Sequence, residues 1–229
     1  MTSSAASPAG RTVAGMATCR ACGDLFDRSG SWASPPRVAG GARRRPRDFY
    51  ETAPWQVDAL TDHVPELSGA IWEPCVGDGS LLAQLLGNRP DLGPIITNDI
   101  DPTRPADYHL DATRADSWRE IARQHGPPHW VVTNPPFRVA FEILQHAVTI
   151  ARTGVILMVR VSFSEPTAAR GPWLAAHPSS KRITLERWSF TGNGHSDSAT
   201  TEWLIWANVA LRPPFGISAF GYKSGRGRR

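Results

Sequence analysis

Cysteine is scarce in this chain, with Cys19, Cys22 and Cys75 the only three among 229 residues. That is too few for a disulfide framework and fits a reducing compartment. No apolar run approaches the ~20 residues that cross a bilayer, and the Ala/Ser/Gly-rich start lacks the compact hydrophobic segment of a secretory signal. The expectation is therefore a cytoplasmic protein without a membrane partner. Internal repeats are missing as well. The seven His residues form no HxxxH or His-Asp arrangement, which argues against metal-dependent hydrolysis. Cys19-Arg20-Ala21-Cys22-Gly23 resembles half of a zinc ribbon, yet a structural zinc site needs four ligands and no second cysteine pair follows. Unless histidines or a second copy complete it, the thiols are expected to stay unliganded, so no metal is expected.

What is present begins with charge. The formal net charge of +4 conceals an asymmetry: residues 1–47 carry eight Arg against two Asp, and residues 212–229 carry five basic residues and no acid. The middle segment, 48–211, holds twelve basic and nineteen acidic residues. Basic flanks on an acidic body suit an enzyme that meets a polyanion at its edges, with Arg43, Arg44 and Arg45 as candidate phosphate contacts. Solvated tails are the equal alternative.

Residues 1–47, rich in Ala, Ser, Gly, Pro and Arg without an apolar period, are expected to be largely disordered, with Met16 an alternative start. From Asp48 the pattern turns to short apolar runs alternating with amphipathic segments, the mark of a βα-repeating α/β domain over 48–211, and 212–229 reads as a basic tail. Helices are predicted near 55–67, 81–86, 113–125, 138–152 and 165–176. Strands are predicted near 70–72, 94–97, a short one ending near Leu110, 130–133, 155–159, 182–188 and 202–210, which makes seven. In such a sheet, ligands bind outside the carboxyl ends of the strands near the switch point.

Asn134-Pro135-Pro136-Phe137 follows the apolar run Trp130-Val131-Val132, where a buried strand ends. The exocyclic amine of adenine or cytosine is a poor nucleophile because its lone pair is delocalised into the ring. An Asn side-chain oxygen and a backbone carbonyl that both accept the amine's protons favour a tetrahedral nitrogen. Pro135 and Pro136 stiffen the turn and remove two backbone donors, and Phe137 offers a flat face to an unstacked base.

Three upstream loops add a ligand. Glu73-Pro74-Cys75-Val76-Gly77-Asp78-Gly79-Ser80 follows the first strand and opens a helix, and Gly77 and Gly79 admit close backbone approach. The run lacks the third glycine of a dinucleotide fingerprint and the Lys-Ser/Thr of a phosphate loop, so a pyrophosphate is not demanded. With acids at 73 and 78, a cationic small ligand such as S-adenosylmethionine fits better; a plain tight turn is the alternative. Asp99 ends the second strand, where an acid accepts ribose hydroxyls, and Asp111 follows the third, where it would accept an adenine amine. Either acid also serves as a turn former or helix cap.

Taken together, Asp48-Phe49-Tyr50-Glu51-Thr52, the glycine loop, Asn98-Asp99-Ile100-Asp101, Asp111 and Asn134-Pro135-Pro136-Phe137 resemble an amino-group DNA methyltransferase of the S-adenosylmethionine-dependent superfamily. The likeness covers roughly residues 48–210 and is nearest to short phage-borne and prophage-borne enzymes of the N6-adenine type. It implies a Rossmann-like, seven-stranded, mostly parallel sheet with helices on both faces. It also implies S-adenosylmethionine bound by Phe49, Tyr50, Thr52, Glu73, Pro74, Gly77, Gly79, Asp99, Ile100, Asp111, Ala112 and Asn134, with Phe49 to Thr52 over its methionine end. Asn134 and the Pro135 carbonyl would hold the target amine, Phe137 would stack on the flipped base, and double-stranded DNA would be the partner. Phe137 stands where many relatives have Tyr, and Glu51 where many have Pro. Only 92 residues follow Phe137, too few for a separate target-recognition domain. Specificity would then fall to flanks and to the polar loop Thr191–Ser198, with His195 and Ser196 the contact candidates; an ordinary hairpin loop is the other reading.

Two alternatives remain open on sequence. Asn-Pro-Pro-Phe/Tyr also occurs in RNA guanine-N2 methyltransferases and in enzymes that methylate a protein glutamine. A catalytically silent nucleic-acid- or partner-binding module would keep the fold without the chemistry.

Overall fold

Side chains along the central strands alternate between two separate cores, and this alternation builds the layers of the molecule. The computed structural model describes residues 51–186 and 200–208, and the backbone of 218–221. In chain order the elements are α1 (Pro54–His63), β1 (Ile71–Glu73), α2 (Ser80–Asn88), β2 (Ile95–Thr97), α3 (Ala115–His125), β3 (Trp130–Thr133) and α4 (Ala140–Ile150). There follow β4 (Gly154–Arg160), a 3-10 turn (Val161–Ser164), α5 (Gly171–Ala176), β5 (Lys181–Leu185), β6 (Thr201–Ala207) and β7 (Ser218–Gly221).

Among the described residues the sheet has seven strands in the order β2-β1-β3-β4-β6-β5-β7. β1 pairs in parallel with β2 and β3, β3 with β4, and β5 with β7, while β6 runs antiparallel to both of its neighbours. Trp130, Val132, Ile156, Met158, Trp203 and Ile205 pack under α1 and α2 against Leu60, Leu82 and Leu85. Their sequence neighbours Val131, Val155, Leu157, Leu204 and Trp206 pack under α3 and α4 against Trp118, Ile121, Ile143 and Leu144. Helices therefore cover both faces, as the βα pattern predicts.

Trp203 and Trp206 lie three residues apart on one strand and so point to opposite faces. Each spends its indole N–H on a helix-layer carbonyl: Trp203 donates to Gln56 O at 2.8 Å and Trp206 to His177 O at 2.9 Å. A buried indole without such a partner would carry the desolvation cost of its N–H, about 1–3 kcal/mol.

Three expectations are corrected. The third strand expected near Leu110 is reduced to a single parallel bridge, Asn98 to Tyr108. Its cause is local: the Asp107 carboxylate accepts the N–H and the hydroxyl of Thr97, both at 2.8 Å, so a side chain takes the backbone donor that a longer ladder would use. The seventh strand comes instead from 218–221, inside the segment read as a basic tail, where Ser218–Gly221 pairs with Arg182–Leu185. The helix expected over 165–176 is confined to Gly171–Ala176, because the chain first makes its 3-10 turn and an irregular run through Pro166.

No helix among the described residues is long and apolar enough to cross a membrane.

Candidate active site

Strands β1, β3 and β4 run in one direction, so the segments that follow them share one edge of the sheet. After β1 the chain turns sharply. Gly77 and Gly79 have φ of 59° and 80°, a region that costs a residue with Cβ roughly 1–2 kcal/mol, and the Gly79 N–H closes the turn on Val76 O at 2.8 Å. Asp78 Oδ1 accepts the Ser80 N–H at 3.0 Å at the start of α2.

The acid after β2 is tied into the same loop. Asp99 accepts the Gly77 N–H on Oδ2 at 2.8 Å and the Asp101 N–H on Oδ1 at 2.9 Å, so its carboxylate is fixed in place by one bond per oxygen. Next to it Ile100 is 59% exposed, the exposed large apolar side chain among the described residues. Asp111 accepts both the N–H and the hydroxyl of Thr113 on a single oxygen, Oδ1, at 2.9 and 2.7 Å. Those two donors hold its carboxyl below the ordinary aspartate value, so it is ionised at neutral pH. Asp111 thus acts as a turn former, and does so with one oxygen only. Ala112 is buried against Trp118 in the core of the α3–α4 layer.

Asn98 enters the sequence pattern only as the first residue of Asn98–Asp101, without a role of its own, yet it organises this edge. It is 3% exposed; its Nδ2 donates to Pro74 O and Leu110 O at 2.9 Å, and its Oδ1 accepts the Leu110 N–H at 2.8 Å. One amide therefore joins the glycine loop to the residue before Asp111. Its position before Asp99 was the only signal the sequence offered.

On β3 all four residues are buried, and the tetrapeptide begins at the strand end. Asn134 Nδ2 donates to Thr52 Oγ1 at 3.1 Å, and the Thr52 N–H donates to Ser80 Oγ at 3.3 Å. A chain of contacts thus runs from the first turn of α2 through Thr52 to Asn134. Pro135 is buried, and the turn that follows uses Pro136 O, which accepts the Val139 N–H at 3.0 Å, rather than Pro135 O. The Arg160 guanidinium, at the end of β4, lies over the Phe137 ring at 5.0 Å from its centroid. Arg160 too escaped the sequence reading, since only the strand register brings it to Phe137.

Cys75 and Glu73 sit below this edge. Cys75 is half-buried, and burial of its thiol, helped by the negative charges of Asp99 and Glu73, pushes the thiol far up, which holds it protonated at neutral pH. Glu73 is 1% exposed. Among the described residues no group of three or more His, Cys, Asp or Glu is arranged to hold a metal ion.

The structure therefore gathers Thr52, Glu73, Pro74, Gly77, Gly79, Asp99, Ile100, Asp111, Ala112 and Asn134–Phe137 around the carboxyl ends of the parallel strands. Phe49, Tyr50, Arg43, Arg44, Arg45, His195, Ser196, Cys19 and Cys22 lie outside the described residues.

No protein-family model matches the chain, and no curated protein sequence matches it. Solved structures do resemble it. The methyltransferase subunit of a type I restriction-modification system from Streptococcus thermophilus superimposes with a TM-score of 0.53 at 13% identity, over 70% of this chain and 45% of that one. A candidate RNA methyltransferase from Pyrococcus horikoshii superimposes with a TM-score of 0.51 at 15% identity, over 70% of this chain and 87% of that one. At such identities the likeness defines the fold, which is the Rossmann-like fold of S-adenosylmethionine-dependent methyltransferases. The chain spans less than half the length of the restriction-system subunit.

Proposed function

We propose that this protein methylates an exocyclic amino group in DNA, adenine N6, with S-adenosylmethionine as methyl donor. The observation that carries this reading is the hydrogen bond from Asn134 Nδ2 to Thr52 Oγ1 at 3.1 Å, which ties the acceptor motif to the donor side of the same edge.

The residues present fit that donor. Gly77 and Gly79 bend the backbone out of the way of a ligand, Asp99 offers a fixed carboxylate to ribose hydroxyls, and exposed Ile100 beside it offers an apolar surface to a purine. Asp111 keeps its charge and its second oxygen for an amine. Bound there, the donor supplies an electrophilic methyl group on a sulfonium.

The protein's own task is to prepare the nucleophile. By giving its Nδ2 to Thr52, Asn134 turns its oxygen away from Thr52, and that oxygen accepts one proton of the target amine. The Pro135 carbonyl accepts the other. Two acceptors set at an angle draw the nitrogen out of conjugation, which raises the density of its lone pair. Two successive prolines keep this geometry stiff, so little is lost to reorganisation during attack. The surplus proton leaves the amine after the new C–N bond forms, and no general base of altered pKa is required. Phe137, braced by Arg160, supplies the stacking face for the base.

The second reading is guanine N2 in RNA, which the likeness in fold to the candidate RNA methyltransferase supports. Labelled methyl donor offered in parallel with DNA, ribosomal RNA and cell protein separates the readings. Label in DNA supports the first. Label confined to RNA or protein replaces the acceptor, and label in none of them leaves a silent module.

A further inference from the structure

Beyond Phe137 a groove of about 360 Å³ opens between the tetrapeptide loop and the chain after β4. Its charge is of one sign: Arg138, Arg160 and Arg170 line it together with Phe137, Ser162 and Phe163. Among the described residues none of these three guanidiniums makes an ion pair, whereas Arg89, Arg119, Arg123 and Arg182 each pair with an acid. Arg160 and Arg170 are instead held by ring faces, Arg160 over Phe137 at 5.0 Å and Arg170 over Phe163 at 4.8 Å. Arg170 Nη2 also donates to the carbonyls of Ser162 and Glu165 at 3.4 and 3.2 Å.

Both of these arginines also keep a buried Nε–H without a hydrogen-bond partner among the described residues. Buried donors are normally satisfied, and two orphans on positively charged groups lining one groove call for an acceptor from outside the fold. Three uncompensated positive charges specify that it is an anion. Phe137 forms both the end of the tetrapeptide and the wall of the groove, so the anion lies beside the tetrapeptide.

We infer that this groove is the phosphate grip of the site: Arg160 and Arg170, with Arg138 at the rim, hold the DNA phosphodiester that flanks the target base. The occupant's identity rests on the reading of DNA as methyl acceptor. Such backbone contacts position the strand and leave sequence reading to other segments.

The test is binding of the full-length protein to a fluorescent duplex oligodeoxynucleotide at a series of salt concentrations, with the Arg160→Gln/Arg170→Gln pair against an Arg119→Gln/Arg123→Gln pair on the exposed face of α3. Each lost phosphate contact lowers the slope of log K against log salt by about 0.9. The groove pair is expected to lower the slope by about two and to raise the KM for DNA at least tenfold, with calorimetric binding of the methyl donor unchanged. The α3 pair is expected to stay at the wild-type slope. If the Gln pair does not fold, Arg138→Gln, at an exposed position, is read in its place, with an expected fall of about one. An unchanged slope in the groove variant, an equal fall in the α3 pair, or groove-dependent binding of RNA and not DNA overturns the inference. Groove-dependent DNA binding without methyl transfer contradicts the proposed activity and leaves the grip standing. Methylation of DNA at unchanged KM in the groove variant contradicts the grip alone.

Discussion

Asn134 and Thr52, 82 residues apart in sequence, meet through a 3.1 Å hydrogen bond in which the amide nitrogen donates to the hydroxyl. The consequence is orientational. An Asn amide has a donor edge and an acceptor edge, and only the acceptor edge activates an amine. Thr52 is 3% exposed and its backbone N–H donates to Ser80 Oγ, so the residue that meets the Asn134 amide is held in place.

Thr52→Val keeps the shape and removes the hydroxyl. The Asn134 amide then loses the acceptor that holds its Nδ2, and kcat is expected to fall about 10- to 100-fold, equivalent to roughly 1.4–2.7 kcal/mol. Stability is expected to change by only about 1 kcal/mol, the net worth of one hydrogen bond. Steady-state kinetics with thermal melting checks both. A fall in kcat/KM caused by KM alone contradicts an orienting role.

Gly79→Ala places a Cβ at φ of 80° where α2 begins. The strain of about 1–2 kcal/mol falls on the turn that aligns Gly77 with Asp99, so donor affinity is expected to drop at least tenfold. Titration calorimetry measures it, and unchanged affinity removes the glycine loop from the donor site.

Glu202 on β6 is fully buried and receives Nε and Nη2 of Arg182 at 2.8 to 3.0 Å. Burial raises its pKa above the ordinary glutamate value, against the lowering effect of Arg182. The folded state therefore holds the Glu202 proton more tightly than the unfolded chain, and this group's contribution to stability declines as pH rises from the ordinary value through the raised one. Arg182→Met extends that decline to higher pH and is expected to cost about 3 kcal/mol at neutral pH. The lower end of the range applies because the Arg182 side chain is 35% exposed. Melting temperature against pH for both proteins is the check.

Cys75 is expected to resist alkylation in the native protein at neutral pH and to react in denaturant, because burial and the neighbouring carboxylates hold it as the thiol. Peptide mass spectrometry after iodoacetamide treatment measures this residue by itself. Rapid native labelling of Cys75 contradicts the packing of the glycine loop.

Much of this candidate site's placement is legible in the sequence because buried parallel strands announce themselves as apolar runs. Trp130–Thr133 needed no partner information to be recognised, and the polar residues at its end stood out. Asp99 and the glycines were legible for a similar reason, since acids and glycines at strand ends have few local explanations. What escaped was set by register and by long-range pairing. Arg160 ends a run that reads simply as a strand, and only the β3–β4 pairing puts it over Phe137. Ser218–Gly221 has four residues and no pattern that distinguishes an edge strand from a tail. The loss of the third strand turns on Asp107 choosing Thr97 as its partner, a side-chain event that periodicity does not encode.

The most direct measurement incubates the full-length protein with unmethylated plasmid and S-adenosylmethionine, digests the DNA to nucleosides and weighs them by mass spectrometry. The expected product is N6-methyldeoxyadenosine from the wild-type protein and none from Asn134→Ala, whose calorimetric binding of the methyl donor stays near wild type. Unmodified DNA from the wild-type protein, or full methylation by Asn134→Ala, would contradict the assignment of Asn134-Pro135-Pro136-Phe137 as the seat of amine methylation.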